Sequence, residues 1–321
     1  QVPIGIAGPL LVHGEHASGE FYVPLATTEG ALVASYNRGM RVIHESGGAT
    51  VTIAHDRMQR SPAFLFASAR EARDFGLWIN ENIEEVRAVA QGTTSVGLLE
   101  GVTQFAVGPN LYLRFDYTTG DAAGQNMTSK ATNAACQWIT SAYPHGADFI
   151  LSGNIDTDKK HSQINTLLSR GKRVIAEVTT TAHTLQNLVG VSPKDLFRAR
   201  QISQAGAFMA GSANNGAHAA NGLTALFIAT GQDVANIAES HSGLLYTQLL
   251  DNGDYYWSIT LPSMILATHG GGTGLATPQE CLKLLGCTGP GTAKKLAEIA
   301  AATVLAGEIS LASAVLAGDW V

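Results

Sequence analysis

The sequence predicts an α+β fold in which a small unit of alternating strands and helices is inserted into a larger, helix-rich unit. Residues 62–150 show periodicities in the order strand, helix, strand, strand, helix, strand, which is the order of a split βαβ, ferredoxin-like unit. Two long alanine-rich runs, 216–240 and 292–318, predict helices outside it. With 321 residues, 45% of them hydrophobic, the chain can bury a substantial core. We therefore expect a larger unit from residues 1–61 and 151–321.

Each element of the insert has a local signal. One helix carries its apolar residues at three-to-four spacing, on a single face: Phe75, Ile79, Ile83 and Val86. The sequence GPN between two β-rich runs indicates a hairpin. The segment DFILSG predicts a buried strand. In chain order the other elements are a strand at 63–67, β-rich runs at 94–107 and 111–119, a helix at 126–143 and the strand at 148–153.

The larger unit begins with a predicted helix that runs to about His44. Thr28 is placed to cap it, which puts Glu29 in the first turn, where the helix dipole favours a carboxylate. A strand is predicted at 172–180 and a polar helix near 193–203.

Composition narrows the classes of function. The net charge is −6, and no block of like charge runs along the chain, which argues against nucleic acid and favours a small-molecule partner. The most apolar run, 296–318, contains Glu298 and Glu308, so we expect a buried helix and no membrane segment. Three cysteines without metal-ligand spacing predict packing roles, no metal site and a reducing, cytoplasmic location.

Glycines concentrate in two short motifs. GDAAGQNM (120–127) follows a strand and opens a helix, where first-turn N–H groups attract phosphate, although an ordinary glycine turn fits equally well. THGGGTG (268–274) has three consecutive glycines, whose entropic cost favours a ligand-facing loop.

Charged residues crowd into SGNIDTDKKHSQ (152–163), although only 14% of the chain is charged. A solvated surface is one interpretation of such a cluster. The other is chemical, because Lys159, Glu29 and Asp233 each lie among apolar or small residues. Brought together, an ammonium and two carboxylates would satisfy one another and could transfer protons and stabilise an oxyanion.

Eight motifs are spread along nearly the whole chain. In order they are VPIGIAGPL, PLATTEGALVAS, MQRSP, GDAAGQNM, SGNIDTDKK, AHAANGLTALFIATGQD, THGGGTG and LAGEISLASAVLAG. Together, and in this order, they resemble the catalytic portion of 3-hydroxy-3-methylglutaryl-CoA reductase. The resemblance implies that two hydride transfers from a nicotinamide cofactor reduce an acyl-CoA thioester to an alcohol with release of CoA.

The resemblance assigns roles to individual residues. Lys159 matches the lysine that stabilises the developing oxyanion, Glu29 matches the proton donor, and Asp233 matches the carboxylate between them. Residues implied to bind the acyl group are Arg60, Ser152, Asp158, Lys160 and Asn221. Residues implied to bind the cofactor are Asp121, Ala122, Gly124, Asn126 and Met127, and the glycine loop adds Gly270, Gly271 and Gly272. The larger unit becomes the substrate domain and the insert the cofactor domain. The implied assembly is a dimer, or a multiple of dimers, with shared active sites.

Four departures accompany the resemblance. The family's histidine-bearing C-terminal flap is expected just beyond Val321. The lysine before G-x-x-M-A-G has no counterpart, which leaves Arg198 or Arg200 as substitutes. Ser95 stands where NADPH-using relatives carry an arginine, so NADPH remains the expectation with NADH possible. His161 replaces a proline and reads as structural. A reductase of another acyl-CoA, or a non-catalytic CoA- or nucleotide-binding homologue, stays open as an alternative.

Overall fold

The computed structural model describes residues 1–318. The last three residues of the predicted segment 151–321, and with them the point after which the C-terminal flap is expected, lie outside the described part. Two compact units are present: Gln1–His55 joined with the chain from Lys159 onward, and Asp56–Asp158. The second unit begins earlier and ends later than the predicted insert 62–150.

The chain opens with an antiparallel hairpin in the larger unit. Strand β1 pairs with β2, with Ile4 opposite Ala26, and pairs in parallel with the start of β3, with Val12 opposite Ala49. The first elements are β1 (Ile4–Gly14), β2 (Ser18–Ala26), α1 (Gly30–Glu45) and β3 (Ala49–Arg60).

The cap predicted for α1 is wrong. The N-cap position is Glu29, whose side chain makes no capping bond, and not Thr28. The backbone N–H of Glu29 instead donates to Thr27 Oγ1 at 3.0 Å. A hydroxyl one residue earlier than expected therefore closes the turn before the helix.

The smaller unit has the predicted order of elements. Its strands are hydrogen-bonded in the order β7-β4-β6-β5, and every pair is antiparallel. The end of β3 also pairs with β6, with Arg60 opposite Phe115, so the unit reaches back beyond residue 62. The elements are β4 (Ala63–Leu65), α2 (Ala69–Glu81), α3 (Ile83–Gln91), β5 (Leu99–Val107), β6 (Asn110–Tyr117), α4 (Gln125–Ala142) and β7 (Asp148–Ile150).

Two expectations for this unit need correction. The single helix through Ile83 is divided at Asn82, whose side-chain amide donates to the Trp78 carbonyl oxygen at 2.8 Å and competes with the helical backbone. The strand at the end of the unit is not buried, since β7 lies at the sheet edge and Ile150 is 58% exposed. An apolar run alone could not distinguish an edge strand from a central one.

The remaining elements complete the larger unit. Strand β10 pairs antiparallel with both β8 and β9. The elements are α5 (Gln163–Leu168), β8 (Gly171–Thr180), α6 (Ala182–Val189), α7 (Pro193–Met209), α8 (Ala219–Thr230), α9 (Ile237–Ser240), β9 (Leu244–Leu249), β10 (Tyr255–Met264), α10 (Ala276–Leu284) and α11 (Thr292–Ala317), with 3-10 turns at Val234–Asn236 and Gly271–Gly274.

The alanine content of residues 216–240 predicted one helix, and this prediction is wrong. Helix α8 ends at Gly231, which has φ 69° and lies against the backbone of Gly272. A Cβ at Gly231 would stand 2.3 Å from the Gly272 carbonyl oxygen. A close backbone contact therefore stops the helix and turns the chain towards Asp233.

Helix α11 is the centre of the larger unit's core. By length and composition it could span a membrane, but 78% of its most apolar window is buried within the protein. Its two buried glutamates accept backbone hydrogen bonds: Glu298 from Ala17 at 2.6 Å and Glu308 from His218 at 2.8 Å. These carboxylates tie loops onto the helix, which explains charges in so apolar a segment.

Glu298 of α11 lies beside two residues of an N-terminal loop that could also act as metal ligands. Donor atoms of Glu15, His16 and Glu298 lie within 4.8 Å of one another. The Glu298 carboxylate, however, accepts the backbone N–H groups of Glu15, His16 and Ala17 at 3.1, 2.9 and 2.6 Å. These three hydrogen bonds close the loop of residues 15–17 onto α11.

Candidate active site

Lys159 and Asp233 meet in the larger unit. Lys159 Nζ lies 2.8 Å from Asp233 Oδ2, and the two side chains are 44% and 45% exposed. The other oxygen of Asp233 accepts the Ala235 backbone N–H at 3.0 Å, which caps the following 3-10 turn. The carboxylate is therefore fixed by its own backbone, and the ammonium is accessible to a ligand.

The backbone at Lys159 has a second partner that the sequence had not indicated. Its N–H donates to Glu239 Oε1. Glu239 is buried and accepts two bonds from the guanidinium of Arg170, at 2.7 and 2.8 Å. No motif marks this pair, because Arg170 and Glu239 are distant in sequence and their partnership arises only on folding.

Glu29 is exposed at the start of α1. Within residues 1–318 its carboxylate forms no hydrogen bond or ion pair. The expected three-membered set is thus present in the structure as a Lys159–Asp233 pair, with Glu29 unattached to it.

In the smaller unit, three of the predicted acyl-binding residues, Arg60, Ser152 and Asp158, belong to one polar cluster. Arg60 is 2.9 Å from Asp156 and 3.6 Å from Asp158. The Ser152 hydroxyl donates to Asp156 Oδ1 at 3.4 Å, and Gln125 donates to Asp158 Oδ1 at 3.1 Å. Asp156 is fully buried and organises the group, a role that the sequence had not separated from the neighbouring charges. Lys160, the fourth, is an exposed residue of the larger unit.

Asn221 lies on the first turn of α8 beside a buried histidine. Its amide nitrogen is 3.2 Å from His218 Nδ1, while His218 Nε2 is 3.2 Å from the Ser35 hydroxyl. Burial lowers the pKa of His218 to about 4, and the nearby Arg38 charge acts in the same direction. The imidazole is therefore neutral, and the amide of Asn221 donates to it.

The predicted cofactor loop occupies the turn between β6 and α4. Gly124 caps α4 with φ 89°, and a Cβ there would stand 2.2 Å from Thr119 Cγ2. The Thr119 hydroxyl donates to the Ala122 carbonyl oxygen at 2.8 Å. Met127 packs its thioether against Gly97 and accepts from the Thr94 hydroxyl at 3.3 Å. Asp121 and Asn126 lie in the same turn, so all five predicted residues flank the start of an eighteen-residue helix.

The glycine loop 268–274 is exposed at its tip. Gly270 and Gly271 have φ values of 85° and 57°, and in the described part of the chain neither has a neighbour within 4 Å of a Cβ position. Backbone conformation therefore explains both glycines. Gly272 faces Gly231 instead, and a Cβ there would lie 2.7 Å from the Gly231 carbonyl oxygen. The need for glycine at 272 is structural.

The chain is similar over nearly its whole length to proteins of one known family. The family model for hydroxymethylglutaryl-coenzyme A reductase matches residues 1–321. The 3-hydroxy-3-methylglutaryl-coenzyme A reductase of Aeropyrum pernix is 44% identical over 99% of this chain and 77% of its own length. That of Methanocaldococcus jannaschii is 43% identical over 99% and 80%.

The chain belongs to the hydroxymethylglutaryl-coenzyme A reductase family.

Solved structures of reductases from this family share the fold. The Streptococcus pneumoniae enzyme superimposes with a TM-score of 0.79 at 22% identity, covering 98% of this chain and 85% of its own. A second structure, the class II reductase from the same organism bound to NADPH in open conformations, superimposes with a TM-score of 0.77 at 23% identity and the same coverage.

Two departures from the reductase pattern can now be placed. Arg200 donates to the carbonyl oxygens of Asn215 at 2.7 Å and Leu245 at 2.6 Å, so its guanidinium ties α7 to β9. Arg198 is exposed on the same helix. Ser95 is exposed in a turn that the Thr94 hydroxyl closes by accepting the N–H of Val96 and of Gly97.

His161 is half-buried, and its Nδ1 lies 2.7 Å from the Ser242 hydroxyl. Burial lowers its pKa, and the neighbouring His241 contributes in the same direction. A neutral, hydrogen-bonded imidazole fits the structural role expected for it.

Proposed function

We propose that this chain reduces (S)-3-hydroxy-3-methylglutaryl-CoA to mevalonate and CoA through a hemithioacetal and mevaldehyde, and that Lys159 is the central catalytic group. As a member of its family the chain is an oxidoreductase of the mevalonate pathway. The observation that carries the proposed site is the Lys159–Asp233 pair, formed at 2.8 Å between two of the motifs on which the family resemblance rests.

Lys159 supplies the electrostatics. When hydride reaches the thioester carbonyl carbon, negative charge develops on its oxygen, and a fixed ammonium stabilises that oxygen. Asp233 holds the ammonium in place through the ion pair at 2.8 Å. Removing such a preorganised partner costs roughly a hundredfold to a thousandfold in rate.

Glu29 is proposed as the acid that protonates this oxygen. Its exposed carboxylate at the N-terminus of α1 is not engaged by residues 1–318, which leaves it available to a bound substrate. Apo geometries of catalytic groups are often looser than those in the substrate complex, so the separation of Glu29 from the pair is compatible with this role.

Arg60, Ser152 and Asp158 of the smaller unit are proposed to bind the carboxylate and hydroxyl end of the acyl group. Lys160 of the larger unit is proposed separately as an acyl-binding residue. A guanidinium suits a carboxylate because it can donate two parallel hydrogen bonds. Asp156 compensates its charge in the free protein, and Asn221 contributes an amide near the reacting carbon.

The turn at Asp121, Ala122, Gly124, Asn126 and Met127 is proposed to bind the cofactor. Gly270, Gly271 and Gly272 of the larger unit are proposed separately as cofactor-binding residues. The fit rests on the N-terminus of α4, whose first-turn N–H groups and dipole favour a phosphate, and on a backbone kept free of Cβ atoms at Gly120 and Gly124. A bound nicotinamide would supply the hydride. The NADPH-bound Streptococcus pneumoniae relative favours NADPH, whereas the exposed Ser95 offers no guanidinium for a 2′-phosphate.

Self-association as dimers and a cytoplasmic location are also proposed. Phe208 and Met209 at the end of α7 are 88% and 86% exposed, which is unusual for large apolar side chains unless a partner covers them. Three buried cysteine thiols without disulfides fit a reducing compartment.

The test measures oxidation of NADPH and NADH in the presence of 3-hydroxy-3-methylglutaryl-CoA. The protein is expressed from its full-length gene. We expect Lys159→Ala to lose at least about a hundredfold in kcat, and Lys283→Ala, an exposed lysine on α10, to retain activity. Oxidation that survives in Lys159→Ala would refute the role of Lys159. The absence of oxidation by the unsubstituted protein with either cofactor would refute the substrate, and a panel of acyl-CoA thioesters would then test the alternative reductase.

A further inference from the structure

Lys159 lies in a stretch of unusual backbone. Asn154, Thr157 and Lys159 all have left-handed φ values, of 67°, 47° and 57°. Each non-glycine residue in this region costs roughly 1 kcal/mol or more and persists only where its surroundings hold it. Contacts with the surrounding protein must therefore hold Lys159 in this conformation, and one of them comes from the core of the larger unit.

The contact is made by Glu239, whose Oε1 accepts the Lys159 backbone N–H. Glu239 is 1% exposed and Arg170 is fully buried. Arg170 Nη1 donates to both carboxylate oxygens, at 2.7 and 2.8 Å. The ion pair thus fixes the carboxylate in the core, and the carboxylate reaches out to a main-chain N–H of the catalytic segment.

Both ends of Lys159 are held by one short piece of chain. Asp233, which binds Nζ, opens the 3-10 turn Val234–Asn236, and Glu239 lies on the helix α9 that follows directly. The distance between the backbone anchor and the side-chain anchor is therefore set by one continuous helical segment. Such a segment is stiff compared with a flexible four-carbon lysine stem.

We propose that Glu239, fixed by Arg170, is a positioning residue that holds the Lys159 backbone in its left-handed conformation and so places the ammonium against Asp233. The inference rests on the proposed function in taking Lys159 as the oxyanion partner. Because misplacement of a catalytic group by about 1 Å can cost on the order of a hundredfold in rate, the anchor would act on kcat and not on cofactor binding.

The experiment compares Glu239→Asp with Glu298→Asp. The shorter Glu239→Asp side chain keeps its charge beside Arg170, which discourages unfolding, but it is one methylene too short to reach Lys159 as well. Glu298 is the matched control, since it is fully buried and accepts backbone N–H groups of Glu15, His16 and Ala17, yet it does not touch the site. We expect Glu239→Asp to lower kcat roughly ten- to a hundredfold with KM for NADPH unchanged, and Glu298→Asp to keep kcat within about threefold.

A second variant separates position from stability. Glu239→Gln keeps the length of the side chain and an acceptor oxygen for Lys159, but it leaves Arg170 without its counter-charge. We expect it to unfold at lower denaturant concentration than Glu239→Asp while retaining more of kcat. If the ion pair were only structural, Glu239→Gln, the less stable variant, would have the lower kcat. In that case the loss of kcat in each variant would parallel its loss of stability.

Amide hydrogen exchange at Lys159 gives a readout that does not depend on turnover. We expect faster exchange of this amide in Glu239→Asp and no change in Glu298→Asp. Unchanged exchange, or a kcat for Glu239→Asp equal to that of the control, would overturn the proposal. If the unsubstituted protein fails to oxidise NADPH with 3-hydroxy-3-methylglutaryl-CoA, the proposed function is refuted. Amide exchange at Lys159 then still tests whether Glu239 holds the Lys159 backbone.

Discussion

At the scale of single residues, burial decides how much a charge contributes. Two aspartates face the Arg60 guanidinium in the smaller unit. Asp156 is fully buried at 2.9 Å, whereas the Asp158 side chain is 29% exposed at 3.6 Å. The attraction to Asp156 acts in a region with little water, so its loss leaves the buried Arg60 guanidinium with the longer, solvent-screened contact to Asp158. Asp158 is screened by solvent and is freer to exchange protein partners for a ligand.

We therefore expect Asp156→Asn to lower the free energy of unfolding by about 3 kcal/mol or more, and Asp158→Asn by less than about 1 kcal/mol. Chemical denaturation followed by circular dichroism would measure both. Because the two substitutions are identical and share one guanidinium, equal losses would contradict the difference in burial as the cause.

At the scale of elements, the packing of α1 on α11 depends on one glycine. A Cβ at Gly39 would stand 1.8 Å from the Ala306 carbonyl oxygen, which is far below any contact distance. The two helices approach backbone to backbone at this point. On α7, by contrast, Gly206 is exposed, and no atom of residues 1–318 lies within 4 Å of its Cβ position.

Gly39→Ala should therefore destabilise the protein by about 3 kcal/mol or more, because α1 and α11 must separate to admit the methyl group. The same substitution at Gly206 should be neutral or add up to about 1 kcal/mol, since alanine is the better helix former. Thermal unfolding of both variants would test this. If Gly39→Ala had the same melting temperature as the unsubstituted protein, the close contact of α1 with α11 would not limit stability.

At the scale of the whole molecule, polar groups buried around α11 link stability to pH. His218 is 4% exposed and has a pKa of about 4 in the folded state. Glu308 lies on the same side, and burial raises the pKa of its carboxyl, against hydrogen bonds from the backbone at His218 and Ala217. Between pH 6.5 and pH 4 the unfolded chain binds a proton at His218 that the folded chain excludes, so this histidine makes stability fall as the pH falls. Glu308 acts in the opposite direction.

The expected contribution of His218 is about 1.4 kcal/mol per pH unit below pH 6.5, ending near pH 4, for a total of about 3 kcal/mol. Denaturation at several pH values would measure this contribution. As the pH falls, the free energy of unfolding should decrease less steeply in His218→Gln than in the unsubstituted protein. The difference between the two slopes isolates His218, because Glu308 and the other carboxylates are common to both proteins. Parallel slopes would place the acid sensitivity elsewhere.

The sequence by itself determined the order of strands in the smaller unit, the burial of α11, the α+β class and the motifs that carry the family. These depend on local periodicity and on short runs of residues, which the chain encodes directly. It predicted the wrong cap for α1, and it did not predict the break at Asn82 or the end of α8 at Gly231. In each case a nearby side chain or a distant backbone segment competed with local propensity.

Only the tertiary structure decided which charges meet. Lys159 and Asp233 come together while Glu29 stays apart, and Asp156 rather than Asp158 is the buried partner of Arg60. The bond from Lys159 to Glu239 joins residues eighty positions apart. Contacts at such separation depend on how helices and loops pack, and the free energy of a charge depends on its burial, which no local pattern encodes.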